Sequence, residues 1–218
     1  MKICPEKTNK EAIFFEHGQL VLALSAAAVI LCLCFFDIPI AEFFHTFPSA
    51  WRRSLKFLTN LIDPKYNNYV WPLVFFLFRY LLKKQVWGNR ILLVLISIPL
   101  GNFFVWILKF IFGRARPDLL FSKHLYGFHF FEWNWHLESF PSGHAAGIGA
   151  ICGAFACFYP RLSALFLVVG FSLALTRVGL GVHFLSDVIA GFTIGLLIAQ
   201  WTYILMKEQK TRFYHSSN

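Results

Sequence analysis

The sequence predicts an all-α membrane protein, a bundle of six transmembrane helices. Of its 218 residues, 57% are hydrophobic and only 14% are charged, whereas an average soluble domain is roughly 25% charged. The apolar residues fall into runs long enough to cross a bilayer, which takes about 20 residues. We therefore expect residues 1–218 to form a single membrane-embedded domain, with no room for a second large domain.

The first three spans precede the middle of the chain. The first is the uncharged run between Glu16 and Asp37. The second, residues 66–82, is weaker because it contains a proline and an arginine. The third, residues 91–108, carries no charge, and we expect Pro99 and a nearby glycine to break its helix in a way that membrane helices tolerate.

The last three spans follow a polar and aromatic segment, residues 113–140. They cover residues 142–159, residues 162–180 and residues 184–206. Six spans place both termini on one side, so we expect a cytoplasmic N-terminal segment (1–16) and a basic cytoplasmic tail (207–218).

Basic residues indicate the orientation, because they are enriched in short cytoplasmic loops. With both termini in the cytoplasm, that side holds eleven Lys and Arg, and the other side holds nine: Arg52, Arg53, Lys56, Lys65, Lys109, Arg114, Arg116, Lys123 and Arg177. Three of the nine are assigned below to substrate, which leaves six. We expect a multi-pass protein of the cell (inner) membrane with its polar site facing the periplasm or exterior. The net charge of +9 favours anionic lipids as partners and not nucleic acid.

A first polar motif ends the third span, where Lys109 is followed seven residues later by Arg116 and then Pro117. Seven residues are nearly two helical turns, so both cations share a stripe if the helix persists. Two cations at a membrane face are suited to binding an anion, although cations facing lipid headgroups have the same pattern.

A second motif, Pro141-Ser142-Gly143-His144, opens the fourth span. Serine is a favoured helix cap, glycine lets a ligand approach the backbone, and a helix start presents free N–H groups to an anion. A histidine in this first turn can donate a proton to a bound group. A capped helix with an interfacial histidine is the alternative.

A third motif runs from Thr176 and Arg177 to His183 and Asp187. His183 and Asp187 are four residues apart, which on a helix brings carboxylate and imidazole together. A carboxylate bonded to one ring nitrogen leaves the other as a nucleophile. A buried ion pair is the alternative, but an aspartate within a membrane segment is expensive enough to indicate function.

Together, in this order and at these ends of spans, the motifs resemble the three-part signature of the type 2 phosphatidic acid phosphatase family. That family includes lipid phosphatases and is similar to the vanadium haloperoxidases. The resemblance covers residues 109–187 by motif, and the six-span plan covers most of the rest. Thr176 stands where the family usually has serine, so a hydroxyl is retained there.

The resemblance implies a mechanism and a site. His183 would attack phosphorus to form a phosphohistidine, Asp187 would hold its ring, and His144 would protonate the leaving oxygen and then activate water. The phosphoryl oxygens would be surrounded by Lys109, Arg116, Arg177, Ser142 and the N–H of Gly143. Three cations and backbone donors can balance a phosphate monoester, and no acidic cluster suited to magnesium is present, so we expect no metal and no cofactor.

The expected substrate is a membrane lipid phosphate. Phosphatidic acid, phosphatidylglycerol phosphate, undecaprenyl diphosphate and a lipid A phosphate all present the required group. A non-catalytic anion or lipid transporter is the main alternative, although it has no need of a His–Asp pair facing a second histidine. A vanadate-dependent oxidase is a third reading, which the lipid setting disfavours.

An aromatic segment, residues 125–137, joins the first two motifs and must therefore border the phosphate pocket. Six of its residues are large aromatics, which settle at the headgroup level of a membrane. It is expected either to line a lipid entrance or to anchor the loop at the interface.

Overall fold

A computed structural model of the chain describes residues 18–60, 64–132 and 134–216. Within these ranges the regular structure is helical, apart from an isolated antiparallel bridge between Arg114 and Phe128. The expected N-terminal segment 1–16 lies outside the described residues, as does the end of the basic tail.

The first span is a continuous helical rod from Gly18 to His45. It consists of α1 (Gly18–Leu31), a π-helical turn (Cys32–Phe36) and α2 (Asp37–His45). The expectation that Asp37 ends this span is wrong, because the helix carries Asp37 on into the interior, where its side chain is 1% exposed. Burial of this carboxylate is tolerated because it is ion-paired and hydrogen-bonded.

An amphipathic helix that the sequence analysis did not anticipate, α3 (Ser49–Asn60), follows the first span. Arg52 and Lys56 lie on the exposed face of this helix, whereas Leu55 packs against the end of the fifth span. A Cβ at Gly179 would lie 2.6 Å from Leu55 Cδ1, which shows how closely α3 approaches that helix.

The second and third spans form an antiparallel pair. α4 (Pro64–Phe76) continues into a π-helical turn (Leu77–Leu81), and α5 (Gln85–Phe112) crosses back. α5 is continuous through Pro99, so the expected break is not seen. A short helix, α6 (Pro117–Lys123), then follows.

The last three spans are α7 (Gly143–Phe158), α8 (Ser163–Gly179) and α9 (Leu185–Ser216). Four helical segments of the described chain are long and apolar enough to cross a membrane: Gly18–His45, Gln85–Phe112, Pro160–Gly179 and Leu185–Glu208. Two shorter apolar helices, Tyr69–Leu81 and Gly143–Phe158, occupy the places of the second and fourth spans. The all-α, six-span membrane fold is confirmed.

Glycines allow α7 and α9 to pack backbone against backbone. A Cβ at Gly195 would lie 1.9 Å from the carbonyl oxygen of Ala146, and one at Gly149 would lie 2.2 Å from that of Phe192. Small residues at such crossings are the usual basis of close helix packing in membranes. The starts of α7 and α9, which carry the second and third motifs, are thereby held side by side.

Candidate active site

The second and third motifs meet directly at the starts of α7 and α9. The Ser142 backbone N–H donates to the carbonyl oxygen of Asp187 at 3.0 Å. A Cβ at Gly191 would lie 2.2 Å from the Ser142 carbonyl oxygen, so only glycine permits this approach. Both Ser142 and Asp187 are fully buried.

His183 lies in the turn between α8 and α9, not on the helix itself. Gly181 has a φ of +67°, a left-handed conformation that glycine adopts without strain, and it turns the chain. The His183 backbone N–H then donates to the Arg177 carbonyl oxygen at 3.3 Å. The turn thus brings the backbones of Arg177 and His183 together.

The partner of the His183 ring differs from the expected one. Nδ1 is 2.9 Å from the backbone carbonyl oxygen of Ser139, whereas Asp187 Oδ2 is 3.7 Å away, beyond hydrogen-bond range. Asp187 is occupied by other donors: Oδ2 accepts from Ser139 Oγ at 2.6 Å and from the Phe184 N–H at 2.8 Å, and Oδ1 accepts from Arg114. The Asp187 carboxylate therefore influences the imidazole electrostatically at 3.7 Å, without a direct hydrogen bond. Ser139 links the two groups, because its hydroxyl bonds to Asp187 and its carbonyl oxygen bonds to His183.

This environment keeps the imidazole neutral. Burial lowers the pKa of His183 to about 4, although the neighbouring Asp187 opposes the shift. A carbonyl oxygen can only accept, so Nδ1 carries the hydrogen and Nε2 keeps its lone pair. A neutral ring with a bare Nε2 is the form that can attack an electrophile.

The expected phosphate-binding cations converge on this place. Lys109, in the last turn of α5, lies within electrostatic range of Arg116, Arg177 and Asp187. His183 is likewise within range of Lys109 and Arg116. Cations from three segments therefore lie near one another, and the charges of Lys109 and Arg116 act on the imidazole.

Arg116, which was expected to bind phosphate, also forms several hydrogen bonds within the protein. Its guanidinium donates to the carbonyl oxygens of Trp135 at 3.0 Å, Val182 at 3.3 Å and Glu138 at 3.3 Å, and it lies 4.1 Å from the centre of the Trp135 ring. Burial lowers the pKa of Arg116. Besides supplying charge, Arg116 joins the aromatic segment to the turn that carries His183.

The start of α7 completes the set. Ser142 caps the helix, its Oγ accepting from the Ala145 N–H at 3.5 Å. Gly143 and His144 follow in the first turn, both half-buried. The unpaired N–H groups of a helix start favour an anion at this point.

Four polar residues at the site were not assigned by the sequence analysis: Asp37, Arg114, Ser139 and Ser186. All four are buried and lie around Asp187 or its partners. The available signals were an aspartate directly after an apolar run and a second arginine two residues before Arg116. Neither signal identifies a partner by itself.

Comparison with known proteins now identifies the family. A sequence model of the PAP2 superfamily matches residues 90–211, more than half of the chain. The chain belongs to the PAP2 superfamily. The matched range contains all three motifs, and the resemblance inferred from them is confirmed.

Relatives within the superfamily are membrane lipid phosphatases. A lipid A 1-phosphatase of Rhizobium johnstonii is 34% identical over 197 residues, 86% of this chain and 80% of that protein. Phosphatidylglycerophosphatase B of Bacillus subtilis is 32% identical over 126 residues, 53% of this chain and 56% of that protein. This PAP2 chain is likewise a membrane lipid phosphatase, and the non-catalytic transporter is not supported.

Solved structures share the PAP2 fold. LpxE of Aquifex aeolicus superposes with a TM-score of 0.58 at 21% identity, covering 77% of this chain and 94% of that one. The transmembrane PAP2-type phosphatidylglycerolphosphate phosphatase of Bacillus subtilis superposes with a TM-score of 0.61 at 22% identity, covering 91% of this chain and 96% of that one. At these identities the likeness extends to the fold alone.

Proposed function

We propose that the chain hydrolyses a lipid phosphate in two steps through a phosphohistidine on His183. The observation that carries this proposal is the buried, neutral imidazole whose Nδ1 is tied to Ser139. In the first step Nε2 attacks phosphorus, the bond from phosphorus to the lipid oxygen breaks, and His144 gives that oxygen a proton. In the second, His144 takes a proton from water, the water oxygen attacks phosphorus, and the P–N bond breaks to release phosphate.

The remaining site residues stabilise charge. Three positive charges are assigned to the phosphoryl oxygens, those of Lys109, Arg116 and Arg177, and Ser142 with the Gly143 N–H is assigned as a set of neutral donors. A phosphate monoester carries close to two negative charges at neutral pH. Donors already fixed in place stabilise the charge of the transition state without a reorganisation cost, so catalysis is proposed to need no metal ion.

The proposed substrate is the 1-phosphate of lipid A. Two Rhizobium proteins support it, the lipid A 1-phosphatases of Rhizobium johnstonii, 34% identical, and Rhizobium etli, 31% identical, and each is matched over 80% of its length. Phosphatidylglycerol phosphate is the second candidate, because the Bacillus subtilis phosphatase is 32% identical over a shorter stretch. Both lipids present a phosphate monoester at the membrane surface.

We further propose that the site faces the periplasm or exterior, with both termini in the cytoplasm. The cation count of eleven against six supports this orientation. A single domain with a basic cytoplasmic tail and anionic lipid neighbours follows from the same residues.

The test is phosphate release by the purified protein from a panel of lipid phosphates. His183→Ala should abolish turnover, and Asp187→Asn should reduce it steeply while lipid binding is retained. Vanadate, which mimics five-coordinate phosphorus, should inhibit. Because the P–N bond of a phosphohistidine is stable in alkali and labile in acid, enzyme quenched in alkaline detergent should carry labelled phosphate that is lost on acid treatment and that His183→Ala lacks. A matched control is His136→Gln, since the exposed His136–Asp118 pair contributes little.

Several outcomes would contradict the proposal. Substantial turnover by His183→Ala would show that the reaction does not pass through a phosphohistidine on His183. Loss of activity on chelation, with recovery on adding magnesium, would contradict the proposal that catalysis needs no metal ion. Faster release from phosphatidylglycerol phosphate or undecaprenyl diphosphate than from lipid A would replace the proposed substrate.

A further inference from the structure

A buried arginine lies behind the nucleophile. The Arg114 side chain has no exposed surface, and its guanidinium forms ion pairs with two carboxylates, Asp187 and Asp37. Nη2 donates to Asp37 at 2.7 Å, and Nη1 donates to both Asp187 and Ser186 Oγ. Burial opposes the charge, but Asp187 and Asp37 more than offset this, so the pKa of Arg114 is raised and the group is always charged.

Asp37 ties the first span to the start of α9. Its Oδ1 accepts from the Ser186 backbone N–H at 3.0 Å, and its Oδ2 accepts from Ser186 Oγ and from Arg114. Ser186 directly precedes Asp187, so Asp37 fixes both the arginine and the backbone next to the carboxylate that faces His183. A residue on the first span thus acts at a site whose motifs all lie after residue 108.

An aromatic shell encloses this charged cluster. The Arg114 guanidinium carbon lies 4.5 Å from the ring centre of Phe184, 5.3 Å from that of Tyr126 and 5.5 Å from that of Phe128. The Tyr126 hydroxyl accepts from Arg114 at 3.0 Å and donates to the Leu33 carbonyl oxygen at 3.1 Å. Ion pairs and hydrogen bonds in such a water-poor setting are stronger than at a surface.

We propose that Arg114 and Asp37 are positioning residues for the phosphatase reaction, which hold Asp187 and, through it and Ser139, the ring of His183. The planar guanidinium fork reaches two carboxylates at once, which a lysine ammonium cannot reproduce. The two carboxylates share one cation, so the cluster keeps a net negative charge beside the ring. That charge favours the cationic imidazole of a phosphohistidine over an unmodified neutral ring.

This inference rests on the proposed function, and its test compares three variants with one control. Asp37→Asn removes the charge, Arg114→Lys keeps the charge but loses the fork, and Ser186→Ala removes a single hydroxyl. The control is Thr193→Val, because the Thr193 hydroxyl bonds to Ser25 Oγ at 3.0 Å and so joins the same two helices away from His183. Folding of each is checked by helical circular dichroism and elution in detergent.

We expect Asp37→Asn and Arg114→Lys to lower kcat and the rate of phosphoenzyme formation by about 10- to 100-fold, the size of effect that a misplaced catalytic group produces. KM should stay within about threefold, because substrate binding is not touched. Ser186→Ala should show a smaller loss of the same kind, and Thr193→Val should match the unaltered protein. Should Asp37→Asn fail to fold, the kcat and the rate of phosphoenzyme formation of Ser186→Ala test the proposal instead.

Two results would overturn the inference: an unchanged rate of phosphoenzyme formation in the folded variants, or an equal loss in Thr193→Val. A loss confined to KM would also overturn it, since positioning of the nucleophile acts on kcat. Failure of the proposed function looks different, because then the unaltered protein itself forms no phosphoenzyme on His183.

Discussion

At the residue scale, the state of one imidazole decides what this site can do. His183 is 4% exposed, and its Nδ1 hydrogen is directed to a carbonyl oxygen and not to a carboxylate. A carbonyl fixes the tautomer without taking the proton. In the proposed reaction, the nearby Asp187 stabilises the positive charge that appears on the ring when Nε2 bonds to phosphorus.

The protonation state of His183 gives a spectroscopic prediction. We expect ¹⁵N NMR to show a protonated Nδ1 and a bare Nε2 from about pH 8 down to about pH 5, because burial lowers the pKa to about 4. The sign follows from burial, which disfavours the charged form and so extends the neutral form to lower pH. Signals are assigned by their loss in His183→Asn. A midpoint near the ordinary value of about 6.5 would contradict the prediction.

At the element scale, the aromatic segment is joined to the first motif through Arg116. Arg116 donates to the carbonyl oxygens of Trp135, within the segment, and of Glu138, directly after it. Its aromatic residues divide into two groups, since Tyr126 is turned toward Arg114 whereas Phe130 and Phe131 are more than half exposed. Trp133 lies outside the described residues.

The exposed rings of this segment are expected to contact the lipid chains of the substrate. Replacing Phe130 and Phe131 by Ala should raise KM about tenfold or more for a long-chain lipid phosphate, because a buried aromatic ring contributes about 1.5–3 kcal/mol. Hydrolysis of a short, soluble phosphate ester should be unchanged. Phe35→Ala is the control, since Phe35 is 66% exposed, as is Phe131, but lies on the first span. Equal losses of activity on both substrates would show that the segment stabilises the structure and does not contact the lipid chains.

At the scale of the whole molecule, the features that depend on local sequence were predictable and those that depend on distant pairs were not. The six spans follow from apolar runs, and the meeting of Lys109, Ser142 and His183 follows from the alternating direction of consecutive spans. The pairing of Arg114 with Asp37 joins positions 77 residues apart, and no spacing rule connects them. The sequence did not predict α3 because its apolar residues alternate with polar ones along the chain and do not form a continuous apolar run.

The proposed orientation of the bundle rests on the distribution of cations along the sequence. With the three proposed phosphate-binding cations set aside, the six that remain on the outer side include Arg114, which is buried in ion pairs in the folded protein. Without Arg114 the outer side has five cations against eleven on the other side. The positive-inside rule counts cations in short loops, and the excess on the proposed cytoplasmic side holds with or without Arg114.

We therefore expect a cysteine at position 123 to react with an impermeant thiol reagent on intact cells or spheroplasts, and one at position 210 to stay unlabelled. Lys123 is exposed at the end of α6, next to the site, whereas Lys210 lies in the C-terminal part of α9. Each cysteine is introduced singly in a background that lacks the five native ones. Both positions should label after permeabilisation, which shows that each is reactive. Labelling at 210 but not at 123 in intact cells would place the site in the cytoplasm, where the substrate would have to be a lipid phosphate of the inner leaflet.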